Sequence, residues 1–181
     1  MPIEVEVKLK IADLNELEMK LVEKGAILEE IVNQRDQYFN HPSKDFSETD
    51  EALRIREDGD RIFLTYKGPK FDPKSKTRIE IDLKVENAQQ LSNLLEKLNF
   101  EKVAIVSKER RIYLLDGMHF CLDNVASIGT YLEVEKIISD KSFFEKTRKE
   151  IFRALKALKL DPKKNIRKSY LELLLEKSDT K

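Results

Sequence analysis

Four pairs of like-charged residues stand two positions apart in stretches of alternating polarity: Glu4/Glu6, Arg54/Arg56, Lys108/Arg110 and Glu133/Glu135. In an extended chain, residues i and i+2 share a face and lie about 6.6 Å apart. Two unit charges at that spacing repel by roughly 2–3 kcal/mol at an effective dielectric near 20. On an open sheet, water and salt screen the repulsion, and a solvated polar face is the ordinary reading of such a strand. Enclosed, the same pairs need a counter-ligand. Acidic pairs suit Mg²⁺ or Mn²⁺, which take carboxylate and phosphate oxygens. Basic pairs suit phosphate oxygens, and arginine can grip them with two parallel donors. A polyphosphate carrying a divalent ion would neutralise both sets at once.

The elements that must position these pairs follow from periodicity. Residues 3–11, IEVEVKLKI, alternate strictly and predict a strand. Asp13 then caps a helix with Leu14, Leu17, Leu21 and Val22 on one face and Gly25 just past its end. Strands are expected near 31–39, 51–57 and 61–67, with Asp58-Gly59 as the tight turn between the last two. Gly68-Pro69 and Asp72-Pro73 mark a loop over 68–76.

The pattern then returns. Residues 79–85, IEIDLKV, echo 3–9, IEVEVKL, and a second leucine helix follows, LLEKLN matching the earlier LVEKGA. Further strands are expected near 103–115, 118–123 and 130–138. Agreement of type, order and length points to an internal duplication. The expected fold is α+β: an eight-stranded antiparallel β-barrel built from two β-α-β-β-β halves, near 1–70 and 76–138, with helices packed outside. Closure removes the exposed strand edges, and a barrel of eight strands can hold one small ligand. If charges line the interior, the apolar faces turn outward and the leucine helices cover them. Residues 139–177 supply C-terminal helices. Phe143, Phe144, Ile151, Leu155 and Leu158 form a core-facing stripe, Pro162 breaks the helix, and a short helix near 166–176 follows. The 181 residues then form a single domain.

Composition bounds the function. Lys+Arg and Asp+Glu both number 34, which argues against a general nucleic-acid binder. Charged residues make up 38%, an excess dominated by Lys and Glu and of a kind reported for heat-adapted proteins. No apolar run is long enough to span a bilayer, no secretory signal is visible, and the lone Cys121 leaves no internal disulfide. A cytoplasmic location is the default expectation. His41 precedes a proline and reads as a loop residue; His119 has no histidine partner at metal-ligand spacing. Lys10 and Lys84, near strand ends, read as solvated.

Taken in order, these segments resemble the CYTH superfamily, the triphosphate tunnel metalloenzymes, over nearly the whole chain. Glu4-x-Glu6-x-Lys8 resembles its opening signature, Asp36-x-Tyr38-Phe39 its second strand, Leu53-Arg54-Ile55-Arg56 its basic strand and Thr65-x-Lys67-Gly68 the strand after it. Arg78-x-Glu80-x-Asp82 resembles the start of the second half, with Asp where Glu is more usual, and Lys108-x-Arg110 the next basic pair. Asp123-Asn124-Val125, with Gly129-Thr130-Tyr131-Leu132-Glu133-Val134-Glu135, resembles the late metal-binding segment. Lys168-Ser169-Tyr170-Leu171-Glu172-Leu173-Leu174 is similar to the closing motif of the class IV adenylyl cyclase-like branch.

The resemblance implies an eight-stranded tunnel in which Lys8, Arg54, Arg56, Lys67, Arg78, Lys108 and Arg110 bind the triphosphate. It implies that Glu4, Glu6, Asp123, Glu133 and Glu135 hold one or two Mg²⁺ or Mn²⁺ ions. Glu4, Glu6, Lys8, Glu133 and Glu135 would then be catalytic, with Glu80, Asp82, Tyr38 and Tyr170 around them. The expected activity is that of a class IV adenylyl cyclase, ATP to cyclic AMP and pyrophosphate. The alternatives are a triphosphatase acting on thiamine triphosphate, inorganic tripolyphosphate or a nucleotide, and a non-catalytic polyphosphate- or nucleotide-binding module. The expected partner is a small triphosphate, with neither nucleic acid nor membrane. An outer strand or a terminal helix could make a homodimer.

Overall fold

The computed structural model describes residues 3–70 and 78–179. Eight strands run Ile3–Lys10 (β1), Ile27–Asn40 (β2), Ala52–Asp58 (β3), Arg61–Lys67 (β4), Arg78–Val85 (β5), Glu101–Leu115 (β6), Met118–Val125 (β7) and Gly129–Ile138 (β8). Four helices run Leu14–Glu23 (α1), Ala88–Lys97 (α2), Phe144–Ala157 (α3) and Tyr170–Asp179 (α4). The strands close into an antiparallel barrel in the order β1-β5-β4-β3-β2-β6-β7-β8. The expected fold is therefore present. Of the loop expected at 68–76, only residues 68–70 lie within the described residues.

The longest pairing joins the two halves, β2 against β6, from Ile27↔Leu114 to Asn40↔Glu101. β1 pairs with β8 along its full length, from Ile3↔Ile138 to Lys10↔Tyr131, and among the described residues it meets β5 at Ile3↔Ile79 and Glu4↔Arg78.

The helix that follows β1 and the helix that follows β5 begin and end alike. Asp13 accepts hydrogen bonds from the backbone N–H groups of Asn15 and Glu16, and Asn87 accepts from that of Gln90. Both helices end on a left-handed residue, Gly25 at φ +85° and Asn99 at φ +65°. Past each, the N–H of Ala26 or Phe100 returns to the carbonyl of Leu21 or Leu95, at 3.0 and 2.9 Å. Leu21 thus matches Leu95, which shifts the LVEKGA/LLEKLN match by one residue.

Strand alternation sorts the layers as expected. Val5, Val7 and Leu9 face outward and are buried under Leu17 and Leu21 of α1 and Ile151 and Leu155 of α3. Leu95 of α2 covers Phe39, Leu53 and Ile55. Full burial of each aliphatic side chain contributes about 1.5–3 kcal/mol. Two expected core residues stand outside it: Val22 is 55% exposed and Phe143 50%. Val22 lies beyond the arc of α1 that meets the barrel, and Phe143 precedes α3 in a short 3₁₀ turn. Pro162 does not simply break the chain; it opens a 3₁₀ turn, Pro162–Lys164, and is buried.

The fourth helix behaves differently from the other three. Tyr170 and its neighbours pack on Tyr38, Val106, Val125 and Tyr131, which share strand faces with the charged residues. The C-terminal segment therefore closes one end of the barrel. Its backbone is fixed there by Ile166 N–H to Lys8 O at 2.8 Å and by Lys8 N–H to Asn165 Oδ1 at 3.0 Å.

Candidate functional site

The barrel encloses a cavity of about 580 Å³. Of the sequence-predicted site residues, Asp123 alone does not line it; Glu4, Glu6, Lys8, Tyr38, Arg54, Arg56, Lys67, Arg78, Glu80, Asp82, Lys108, Arg110, Glu133, Glu135 and Tyr170 all do. Because each strand turns every second residue inward, the pairs read from the sequence arrive as two walls. Strands β3 and β6 bring Arg54, Arg56, Lys108 and Arg110. Strands β8, β1 and β5 bring Glu133, Glu135, Glu4, Glu6, Glu80 and Asp82. Lys67 of β4 stands between the walls, paired with Glu80 and 4.0 Å from Glu4.

The basic wall is held from behind. Asp36 accepts from Arg56 Nε at 2.6 Å and Nη2 at 2.7 Å, and from Arg54 Nη1 at 3.1 Å. Burial opposes ionisation of Asp36, but the two guanidinium groups outweigh it and hold its carboxyl far below the usual range. Asp123 repeats this arrangement in the second half. It accepts from Arg110 Nε at 2.7 Å and Nη2 at 2.5 Å and from the Tyr170 hydroxyl at 2.7 Å, with Lys108 Nζ at 3.6 Å. Both oxygens of Asp123 are thus engaged, and the carboxylate is fully buried. The geometry sets Asp123 apart from the carboxylates that face the cavity.

Asp36 was legible only as part of a motif; its grip on two arginines was not. The one available signal is that it shares a strand face with Tyr38. Thr65 is likewise legible only as part of the Thr65-x-Lys67-Gly68 motif; it donates to Asp82 Oδ1 at 2.6 Å.

Lys8 is completely buried. Its ammonium donates to Lys168 O at 3.0 Å, lies 3.1 Å from Glu133 Oε1, and sits 3.7 Å from the centre of the Tyr170 ring. Lys108 Nζ approaches the same ring at 4.9 Å. Burial, then the neighbouring positive charge of Arg110, lowers the Lys108 pKa to about 8, with Asp123 opposing. Arg54 Nε is buried and, among the described residues, has no hydrogen-bond partner. A bound anion would remove that cost.

The acidic wall shows the complementary strain. Burial, then Glu80 and Glu135, raises the Glu4 pKa well above the ordinary carboxylate range. Burial also opposes ionisation of Glu80, but Lys67, a hydrogen bond from Glu4 and Arg54 bring it to about 2. Of the two, Glu4 is the carboxyl that more readily takes up a proton and Glu80 the one that more readily stays ionised. Carboxylates crowded in this way suit a hard divalent cation, which would offset their repulsion. Among the described residues no three such groups converge tightly enough to hold an ion as they stand. The fit is one of charge and donor chemistry.

Beside the walls, the cavity is lined by the apolar and aromatic side chains of Phe46, Val103, Leu171 and Leu175 next to Tyr38, together with polar ones, Asp45, Asp50, Glu51 and Glu172 among them. His41 lies in the loop after β2, edge-on to Phe100, and His119 is half-buried and 3.2 Å from Glu29. Neither lines the cavity. Lys10 and Lys84 are exposed, as expected.

Comparison with known proteins agrees with this architecture. The CYTH domain matches residues 2–170. A Methanocaldococcus jannaschii protein provisionally named an adenylate cyclase is 44% identical over 171 residues, covering 94% of this chain and 98% of that protein. A Pyrococcus horikoshii protein of known structure superposes with a TM-score of 0.88 at 38% identity, covering 96% of this chain and 99% of that one. A Hippeastrum protein, provisionally an adenylyl cyclase and described with a dominant triphosphatase activity, superposes with a TM-score of 0.68 over 99% of this chain and 96% of that one. At 16% identity it shares the fold alone.

Proposed function

The chain belongs to the CYTH domain family, a family of triphosphate-processing proteins, and from that premise we propose that it converts ATP to cyclic AMP and pyrophosphate. The observation that carries this reading is the opposition of two walls in one tunnel, one basic and one acidic. Arg54, Arg56, Lys67, Arg78, Lys108 and Arg110 bind the triphosphate chain, with Lys8 at its inner end. Asp36 and Asp123 hold the arginine forks in place. Glu4, Glu6 and Glu135 hold one or two divalent ions, Mg²⁺ or Mn²⁺, with Glu133 bridging to Lys8 and Arg110. When bound, the metal neutralises phosphate oxygens and polarises the attacked phosphorus.

The apolar side chains of Phe46, Val103, Leu171 and Leu175 in the cavity lining take the group attached to the triphosphate, which supports an organic substrate over bare tripolyphosphate. In the reaction, the ribose 3′-oxygen bonds to the α-phosphorus, the bond from that phosphorus to the bridging oxygen breaks, and pyrophosphate departs. The hydroxyl proton passes to the acidic wall, while the basic wall stabilises charge building on the leaving group. Little covalent work falls to the protein; positioning and charge neutralisation do most of it.

The same clamp serves hydrolysis at the γ-phosphorus, and the activity described for the Hippeastrum protein of this fold supports that second reading. Product analysis decides. ATP, thiamine triphosphate and tripolyphosphate are each incubated with Mg²⁺ or Mn²⁺. Cyclic AMP with pyrophosphate supports the cyclase, and orthophosphate without cyclic AMP rejects it in favour of the triphosphatase. Tight binding without turnover, unaltered in Glu4→Gln and Glu133→Gln, would leave a binding module.

A further inference from the structure

The 34 basic and 34 acidic residues cancel over the whole chain, but they are not spread evenly. Residues 141–168, which hold α3 and the connection to α4, contain eleven basic and three acidic residues. Whole-chain neutrality argues against a general nucleic-acid binder, and it conceals this division. The helix sorts the charges further. Phe144, Ile151 and Leu155 turn one face of α3 onto the barrel. Away from that face, Lys146, Lys149, Arg153 and Lys156 are all exposed. At 3.6 residues per turn the four fall within an arc of about 80° and run about 15 Å along the axis. Past the helix, exposed Lys159, Lys163 and Lys164 prolong the basic run. The three acidic residues are otherwise engaged. Glu145 pairs with Arg148 at 2.8 Å. Glu150, flanked by Lys146 and Arg153, takes its hydrogen bond from Lys136 at 3.0 Å. Asp161 accepts from the backbone N–H of Lys163 at 3.0 Å. Among the described residues Lys149 and Lys156 make no salt bridge. None of the stripe lines the tunnel cavity, so it has no part in the triphosphate clamp.

We propose that this face of α3 holds the phosphate backbone of a nucleic acid, by charge and without regard to sequence. Each strand of a duplex carries one negative charge per about 3.4 Å of axis, so a line of phosphates meets a line of cations. Along α3 the basic residues follow one another at rises of about 4.5–6 Å, and the flexible lysine stem takes up the difference. Two other partners fit less well. A protein interface gathers aromatic and arginine side chains around an apolar centre and is poor in lysine. Between Lys146 and Lys156 no large apolar side chain is exposed. A helix lying in a membrane surface sinks an apolar face into the lipid. The apolar face of α3 already covers the barrel. The contact would not compete with the triphosphate, whose clamp lies inside the barrel.

Fluorescence anisotropy of a short labelled DNA duplex, and of an RNA of matching length, tests this with the full chain. Binding is expected to one or both, and the two arms name the source of the phosphates. With four contacts, affinity should fall about a hundredfold between about 50 and about 200 mM salt. Lys149→Gln combined with Lys156→Gln should weaken binding by about tenfold or more. It should also lower the magnitude of the log affinity against log salt slope by about two. Lys146→Gln combined with Arg153→Gln should do the same. Lys24→Gln combined with Lys97→Gln, on α1 and α2, should change neither. Circular dichroism checks that each variant is folded. Absence of binding at low salt overturns the proposal. So do stripe variants that bind like the unaltered chain, or an equal loss in the pair on α1 and α2. Preference for phosphatidylserine vesicles over both nucleic acids overturns it in favour of a membrane surface.

Discussion

Arg110 grips Asp123 with two donors, at 2.7 and 2.5 Å, and this fork repeats in the second half of the barrel the fork of Arg56 on Asp36 in the first. Each half thus carries one buried aspartate that aims an arginine at the cavity. The relation distinguishes two roles for Asp123. If it positions Arg110, Asp123→Asn should destabilise the fold by about 3–5 kcal/mol, the usual cost of breaking a buried ion pair. Turnover should fall while the apparent Mg²⁺ or Mn²⁺ affinity, read from metal titrations, stays the same. A metal affinity that collapses would instead make Asp123 a ligand.

Asp36 gives a pH prediction. Its carboxyl is held far below the usual range in the folded chain, so the unfolded state binds the proton first. Its contribution to stability is complete above the unfolded value, about 3.9, and is lost as pH falls below it. Acid unfolding of Asp36→Asn should lose part of its steepness below about pH 4. The variant should also be less stable by about 3–5 kcal/mol at neutral pH, by chemical denaturation.

Lys108 acts at the other end of the scale. Its pKa of about 8 lies below that of an unfolded lysine, about 10.4. In that window the unfolded state binds more protons, so the ligand-free protein gains stability as pH rises from about 8 to about 10. Triphosphate binding needs the charged form and should weaken as pH rises through about 8. Lys108→Met should bind more weakly and lose that alkaline limb, as followed by calorimetry across pH.

The acidic wall should trade stability against activity. Glu4→Gln removes a carboxyl crowded by burial and by Glu80 and Glu135, so the ligand-free protein should melt at the same or a higher temperature. Turnover should fall by about 10²–10³-fold, since a metal supplies several kcal/mol of charge stabilisation. Loss of both stability and activity would assign Glu4 a structural role.

Most of the fold is local and was therefore legible. A strand reveals its two faces through a period of two, and Glu4/Glu6, Arg54/Arg56, Lys108/Arg110 and Glu133/Glu135 all reach the cavity. Helix caps are equally local: Asp13 and Gly25 could be read directly, and Asn87 and Asn99 stand at the same places on α2. Val22 and Phe143 misled because hydrophobicity alone does not say which arc of a helix finds a surface to cover.

By itself, then, the sequence determined which side chains share a face, that two charged sets exist, and that the pattern occurs twice. These follow from backbone geometry within a few residues. Tertiary structure alone decided which charge meets which. Asp123 stands across the sheet from Arg110 and 47 residues from Tyr170, so only strand register and the docking of α4 bring the three together. Whether a carboxylate faces the cavity or holds an arginine behind it is set by those distant contacts, because charge interactions depend on separation and burial rather than on order along the chain.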